Sequence, residues 1–273
     1  MRLSTIKILG VKINSTVAPK VLNHISSRIK KNLKTFIVTP NPEIVLAAQK
    51  DSELLKILNA SDISLPDGVG LVYAGKFLGL KGPKSVIRGR EFMLELCDYA
   101  FKNKLKIFLL GGKKGVAQKA ATNLQKHFNN LPRRLASLRS GQAGLTIKQF
   151  SGPHLDLNAL PLSQKDKKLN NVAIKKINSF MPEILFVGFG CPKQEKWLYH
   201  NWDKLNIKVG MVVGGAFDYI GGTAKVPPKW LSGLGLEWLW RLLNSPRRFK
   251  RIVNATILFP FKLFRLTLRE NTK

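Results

Sequence analysis

The chain has 273 residues, 44% of them apolar, with 46 Lys and Arg against 16 Asp and Glu, a formal charge of +30. That length and apolar share suit one large domain or a domain with an appendage, and with ordinary glycine and proline content they exclude a disordered or fibrous chain. Two cysteines, Cys97 and Cys191, lie far apart and outside any C-x-x-C, which argues against a disulfide scaffold or zinc cluster and for a reducing compartment.

The N-terminal stretch MRLSTIKILGVKIN carries Lys7 and Lys12 inside its apolar run and has no small-residue cleavage site, so it reads as alternating strand rather than as a signal peptide. Beyond it, short apolar runs at Thr35 to Thr39, Ile63 to Leu65, Lys106 to Leu110, Ile184 to Val187 and Lys208 to Val213 read as strands. Helix-period segments separate them, near Val21 to Lys31, Pro42 to Leu58, Val69 to Leu78, Glu91 to Asn103, Val116 to Phe128, Asn171 to Phe180 and Lys193 to Leu205. Strand and helix in alternation predict an α/β fold, a Rossmann-like, mostly parallel sheet with helices on both faces, over residues 1–222. The stretch from about 140 to 168 mixes Gly, Pro, Ser and Lys with neither period and reads as an irregular insertion.

Residues 223–273 read as a separate basic appendage. From Lys225 onward, eleven Lys and Arg face only Glu237 and Glu270. Arg251, Lys262, Arg265 and Arg269 share one helical stripe beside Phe249, Ile252, Ile257, Phe261 and Phe264, the pattern of an interfacial membrane helix. The apolar run from Ile252 to Phe261 is about half of the roughly 18 to 20 residues that span a bilayer, so the chain is expected to lie on a membrane rather than cross it. Pro260 is expected to bend or break the helix.

In parallel α/β sheets ligands bind beyond the carboxyl ends of the strands, and four such places carry polar residues. Thr39-Pro40-Asn41-Pro42-Glu43 could offer a helix start to a phosphate, or simply be capped by Asn41. Pro66-Asp67-Gly68-Val69-Gly70 puts a carboxylate at a strand end, as a catalytic base or as an N-cap. Gly111 and Gly112 could cradle a diphosphate, although the run is neither G-x-G-x-x-G nor a Walker A loop and suits a tight structural turn better. In the fourth, G-F-G-C-P-K-Q-E from Gly188 to Glu195, Gln194 could donate to a sugar or uracil and Glu195 could meet the helix dipole. The four histidines show no metal-ligand spacing, and no D-x-D pair for a nucleotide-bound metal occurs, so no metal or other cofactor is expected.

Taken together, T-P-N-P-E from Thr39, L-P-D-G-V-G from Leu65, F-L-L-G-G from Phe108, the P-K-Q-E motif, V-G-G-A-F-D from Val213 and L-E-W-L-W-R from Leu236 resemble the WecG/TagA/CpsF glycosyltransferases in the right order over nearly the whole chain. The resemblance implies transfer of N-acetylmannosamine, its uronic acid or a related sugar from a UDP donor to a polyprenyl-diphosphate-linked saccharide, such as undecaprenyl-diphosphate-GlcNAc, in teichoic acid or other surface polysaccharide synthesis. It places the catalytic base on Asp67, with Thr39 and Asn41 beside it, and substrate contacts on Gln194 and Glu195 and on the diphosphate-binding arginines Arg241, Arg248 and Arg251. The family arginine that follows the Asp motif corresponds to either Arg88 or Arg90.

An inverting, metal-independent enzyme at the inner face of the cell membrane is the reading that results, with a UDP-sugar, a lipid-linked acceptor and an anionic membrane surface as partners. Self-association is compatible with it, and the sequence fixes no oligomeric order. The alternative suggested by charge alone is a basic nucleic-acid-binding α/β protein without enzymatic activity. The sequence lacks an RRM, KH or helix-turn-helix signature, so no nucleic-acid partner is expected.

Overall fold

The computed structural model describes residues 3–83, 85–129, 145–228, 230–231, 236–244 and 249–271. In chain order its elements are β1 (Thr5–Ile8), β2 (Val11–Asn14), α1 (Ala18–Lys30), β3 (Thr35–Val38), α2 (Pro42–Ala48), α3 (Ser52–Ala60), β4 (Ile63–Ser64), α4 (Val69–Phe77) and α5 (Gly89–Lys102). There follow β5 (Ile107–Gly111), α6 (Val116–Asn129), β6 (Ile147–Phe150), α7 (Gln164–Phe180), β7 (Ile184–Gly188), α8 (Lys193–His200), β8 (Val209–Val212), α9 (Ala216–Ile220), α10 (Glu237–Asn244), α11 (Phe249–Val253) and α12 (Phe259–Asn271). Contacts divide the chain into two compact units, one of residues 1–21, 39–88 and 225–273, the other of 22–38 and 89–224.

The second unit holds the parallel sheet predicted by the strand-helix alternation. Its strands run in the order β3-β8-β7-β5-β6 and every neighbouring pair is parallel. β3, β5, β7 and β8 are buried at every residue, as continuous apolar runs are when both faces of a parallel sheet are covered. The covering comes from buried stripes of Ala117, Ala120 and Leu124 on α6, Ala173 and Ile177 on α7, and Trp197 and Leu198 on α8. Trp197 also donates its indole N–H to Asn170 Oδ1 at 2.7 Å, tying α8 to α7.

Part of the stretch read as an irregular insertion is regular. Ile147–Phe150 pairs with β5 as the edge strand β6, and α7 begins at Gln164, seven residues before its expected start. Ser163 caps it by accepting from Asp166 N, and its hydroxyl donates to Asp166 Oδ2 at 2.5 Å. Residues 140–144 lie outside the described residues. The helix expected from Pro42 to Leu58 is likewise two helices, because Asp51 Oδ1 caps a new start by accepting Leu54 N at 2.9 Å.

In the first unit the expected N-terminal strand is a hairpin. Ile8 pairs with Val11 across a two-residue turn at Leu9 and Gly10, whose φ values of +46° and +76° give a primed turn that suits the twist of paired strands. The C-terminal segment groups with this unit. Its π-helical turn, Asn254–Leu258, packs on α2, and Ile252, Phe259 and Leu263 are buried. Pro260 does not break the helix: it sits in the first turn of α12, directly after the π turn, where the missing N–H is tolerated.

Candidate functional site

Two constellations of the predicted site residues take shape, one in each unit. In the first, the T-P-N-P-E and L-P-D-G-V-G motifs interlock. Asp67 N donates to Pro40 O at 2.9 Å, so the aspartate is held against the segment that follows β3. Gly68 takes φ +96°, a conformation costly for any side chain, and a Cβ on Gly70 would stand 2.6 Å from Pro42 Cγ. The second glycine therefore lets the start of α4 approach Pro42 closely, and Asp67 sits half-buried at the end of this close fit.

Asn41 is the N-cap of α2: its Oδ1 accepts Ile44 N at 2.9 Å, so what it can still present to a ligand is its amide N–H2 group. Thr39 is buried at the same turn. The chain returns to this place once more, because Ile87 N donates to Pro66 O at 2.9 Å and brings Arg88 beside the aspartate loop. Arg88 Nε lies 2.7 Å from Glu237 Oε1, an ion pair between the loop and the first turn of α10.

Arg88 and Arg90, interchangeable in the sequence, part company in the structure. Arg88 belongs to the unit that carries Asp67, whereas Arg90 lies in α5 of the other unit, with its guanidinium 5.2 Å from the Tyr219 ring centroid and 3.4 Å from Glu91 Oε1. Arg241 and Arg251 lie on α10 and α11, with side chains outside the described part, and Arg248 lies outside the described residues altogether.

The second constellation forms where β5 and β7 end in Gly111 and Gly188, with Gly214 in the loop after β8. A Cβ on Gly111 would stand 2.8 Å from the Gly188 carbonyl carbon, and one on Gly188 would stand 2.7 Å from Phe217 Cε2. Close approach of adjacent strand ends, as well as the φ of +106° at Gly111, therefore requires glycine. Gly112 N donates to Gly188 O at 2.9 Å. Its N–H is thus engaged within the protein, as the tight-turn reading of this segment implies.

Gln194 completes that arrangement from behind. It is 2% exposed, and its Oε1 accepts two backbone N–H groups, Gly190 at 3.2 Å and Gly214 at 3.0 Å. Its Nε2 donates to Glu195 Oε1 at 3.0 Å. The sequence offers this amide as a donor to a sugar or uracil; within the protein it joins the loops after β7 and β8. Glu195 is equally buried, and burial pushes its carboxyl pKa up, against the opposing pull of the Gln194 amide, its own backbone N–H and the Cys191 thiol. It is a buried acid in the first turn of α8.

Among the described residues no group of three His, Cys, Asp or Glu side chains is placed to hold a metal ion, and no helix is long and apolar enough to cross a membrane.

The model of the glycosyl transferase WecG/TagA/CpsF family matches residues 6–273. A protein of Bacillus subtilis strain 168, named N-acetylglucosaminyldiphosphoundecaprenol N-acetyl-beta-D-mannosaminyltransferase, is 32% identical over 227 residues, covering 83% of this chain and 78% of its own length. Proteins of the same name from Staphylococcus aureus strains MRSA252 and MW2 are 31% and 30% identical over 265 residues, covering 94% of this chain and 91% of theirs.

Proposed function

The chain belongs to the WecG/TagA/CpsF glycosyltransferase family, and we propose on that premise that it transfers N-acetylmannosamine, or a closely related sugar, from a UDP donor to undecaprenyl-diphosphate-linked GlcNAc with inversion at the sugar carbon. The observation that carries the reading is the interlocked first constellation, which gives Asp67 a fixed place at a strand end beside Thr39, Asn41 and Arg88. It is supported by relatives that carry the transferase name and match this chain over 78% and 91% of their own length.

In this reaction the Asp67 carboxylate takes the proton of the acceptor hydroxyl as that oxygen attacks the donor sugar, and the bond from sugar to UDP breaks on the opposite side. A positioned general base of this kind contributes about 100- to 10,000-fold. The leaving diphosphate gathers negative charge, which Arg88 and the arginines of the C-terminal segment neutralise, and which the Asn41 amide N–H2 group meets as a donor. No step calls on a metal ion. Gln194 and Glu195 serve by holding the glycine loops after β7 and β8 in shape.

The membrane part of the proposal rests on the C-terminal segment. Its Ile252, Phe259 and Leu263 face inward, while Trp230, Leu243, Phe249, Ile257, Phe261 and Phe264 are exposed. Exposed aromatic and aliphatic side chains on a chain of charge +30 are what a peripheral protein offers to an anionic leaflet, where each nearby Lys or Arg adds about 1 kcal/mol.

The test is a mass-spectrometric product assay with a short-chain polyprenyl-diphosphate-GlcNAc and a panel of UDP-sugars. A disaccharide lipid formed from UDP-N-acetylmannosamine or its uronic acid supports the reading, and no product from any UDP-N-acetylhexosamine or uronate rejects it.

A further inference from the structure

Between β6 and α7 the chain makes a tight turn that leaves its leucines outside. Leu155 and Pro161 face each other as an antiparallel bridge, with Asp156 N donating to Leu160 O at 2.9 Å and Leu162 N to His154 O at 3.1 Å. Asp156 Oδ1 accepts both Asn158 N and Leu160 N at 2.8 Å, so one carboxylate closes the turn. α8 ties the turn to the body of its unit: Lys193 Nζ donates to Leu155 O, and Lys196, itself buried, donates to Asn158 Oδ1 at 3.2 Å.

Polar bonds therefore fix this turn, and its apolar side chains divide in two. Leu155 and Ala159 are buried, whereas Leu157, Leu160 and Leu162 are 65%, 57% and 64% exposed. A lone exposed leucine is ordinary. Three within six residues, on a loop whose shape does not depend on burying them, make a surface suited to a partner outside the chain.

Charge identifies the partner. α7 starts directly after the turn, and Lys165, Lys167 and Lys168 in its first turns are exposed. The two acids of the region are engaged within it: Asp156 on the N–H groups of the turn, and Asp166, buried, on His154 N at 2.8 Å and the Ser163 hydroxyl at 2.5 Å. Leucines beside outward ammonium groups suit an anionic bilayer, whose headgroup boundary takes the apolar side chains while its phosphates meet the cations. A second copy of this chain, at +30, would bring like charge to the same lysines.

We propose that residues 155–168 form a membrane contact of their own, in which Leu157, Leu160 and Leu162 enter an anionic leaflet and Lys165, Lys167 and Lys168 bind its headgroups. This contact belongs to the unit of residues 22–38 and 89–224, and the C-terminal segment to the other, so the two surfaces can be varied separately. The inference does not depend on the transferase reading, because its test reads binding alone.

The test is sedimentation of the full chain with vesicles of phosphatidylcholine and phosphatidylglycerol. Replacing Leu157, Leu160 and Leu162 together by Ser should weaken binding about fivefold with Tm within about 2 °C of the wild type, since exposed side chains add little to folding. Lys165→Glu, Lys167→Glu and Lys168→Glu together should weaken it by a similar factor and reduce its dependence on salt. Acids in the first turns of a helix suit its dipole, so this second variant keeps its fold and decides the question by itself if the leucine variant does not fold. Unchanged binding in either folded variant overturns the proposal, as does a wild type that ignores the vesicles. A wild type that sediments alone as a dimer, with the leucine variant a monomer, would also overturn it by making the turn a contact between copies.

Discussion

Gln194 and Gly214, twenty residues apart, are joined by a 3.0 Å hydrogen bond from the Gly214 backbone N–H to the Gln194 side-chain oxygen. The same oxygen accepts Gly190 N at 3.2 Å, so one buried side chain sets the geometry of two strand-end loops. Gln194→Ala leaves both N–H groups without that acceptor and should lower stability by about 1 to 3 kcal/mol, the usual cost of unsatisfied buried donors. Chemical denaturation measures this directly, and UDP affinity should fall along with stability. Unchanged stability with weakened UDP binding would instead make Gln194 a direct ligand.

Glu195 makes the neighbouring prediction one of pH. Burial raises its folded-state pKa above the ordinary 4.5, so above pH 4.5 the folded chain keeps a proton that the unfolded chain has released. Folding stability from this group therefore falls as pH rises from 4.5 toward the raised value. Glu195→Gln, which keeps the acceptor for Gln194 Nε2, should remove that slope and leave the protein at least as stable at neutral pH. Urea unfolding of both proteins at several pH values between 4.5 and 7.5 checks it, and parallel curves would contradict it.

Gly70 carries the close fit of the aspartate loop. A methyl group there would begin 2.6 Å from Pro42 Cγ, too near for either ring or backbone to absorb without moving. Gly70→Ala should destabilise by about 1 to 3 kcal/mol, as overpacking does, and should lower transfer further by shifting Asp67 relative to Asn41. A thermal melt and a rate measurement on the same sample separate the two effects.

Much of this was legible in the sequence, and the parts that were not share a physical cause. β5, β7 and β8 announce themselves because strands buried on both faces read as unbroken apolar runs. β6, Ile147–Phe150, is a half-exposed edge strand with Lys148 and Gln149 at its centre, and carries no such signal. The first turns of α7 are rich in Lys, Gln and Asn; only Ser163 followed by Asp166, an N-cap pattern, marks their start. Asp67 and its glycines could be found from strand-end logic. The partners of Gln194 could not, since they are backbone N–H groups assembled by strand pairing.

The C-terminal segment is two things at once. Phe259 and Leu263 are 1% and 4% exposed, so deletion after Gly222 removes core side chains packed on the first unit and should leave a protein that is less stable and less soluble than the full chain. Phe261 and Phe264, at 53% and 51%, should behave differently. Their joint replacement by Ser should weaken sedimentation with anionic vesicles at least fivefold without changing Tm, and vesicle binding of the full chain should weaken as salt screens its cations. Binding that ignores both the double replacement and salt would contradict the membrane surface assigned to this segment.

With Asp67 as the proposed base, the decisive measurement is single-turnover transfer from UDP-N-acetylmannosamine to lipid-diphosphate-GlcNAc by the wild type and by Asp67→Asn. The amide keeps the size of the side chain and cannot take a proton. Transfer should fall by roughly two to four orders of magnitude, with UDP affinity and Tm close to those of the wild type. Near-normal transfer by Asp67→Asn would place the base elsewhere.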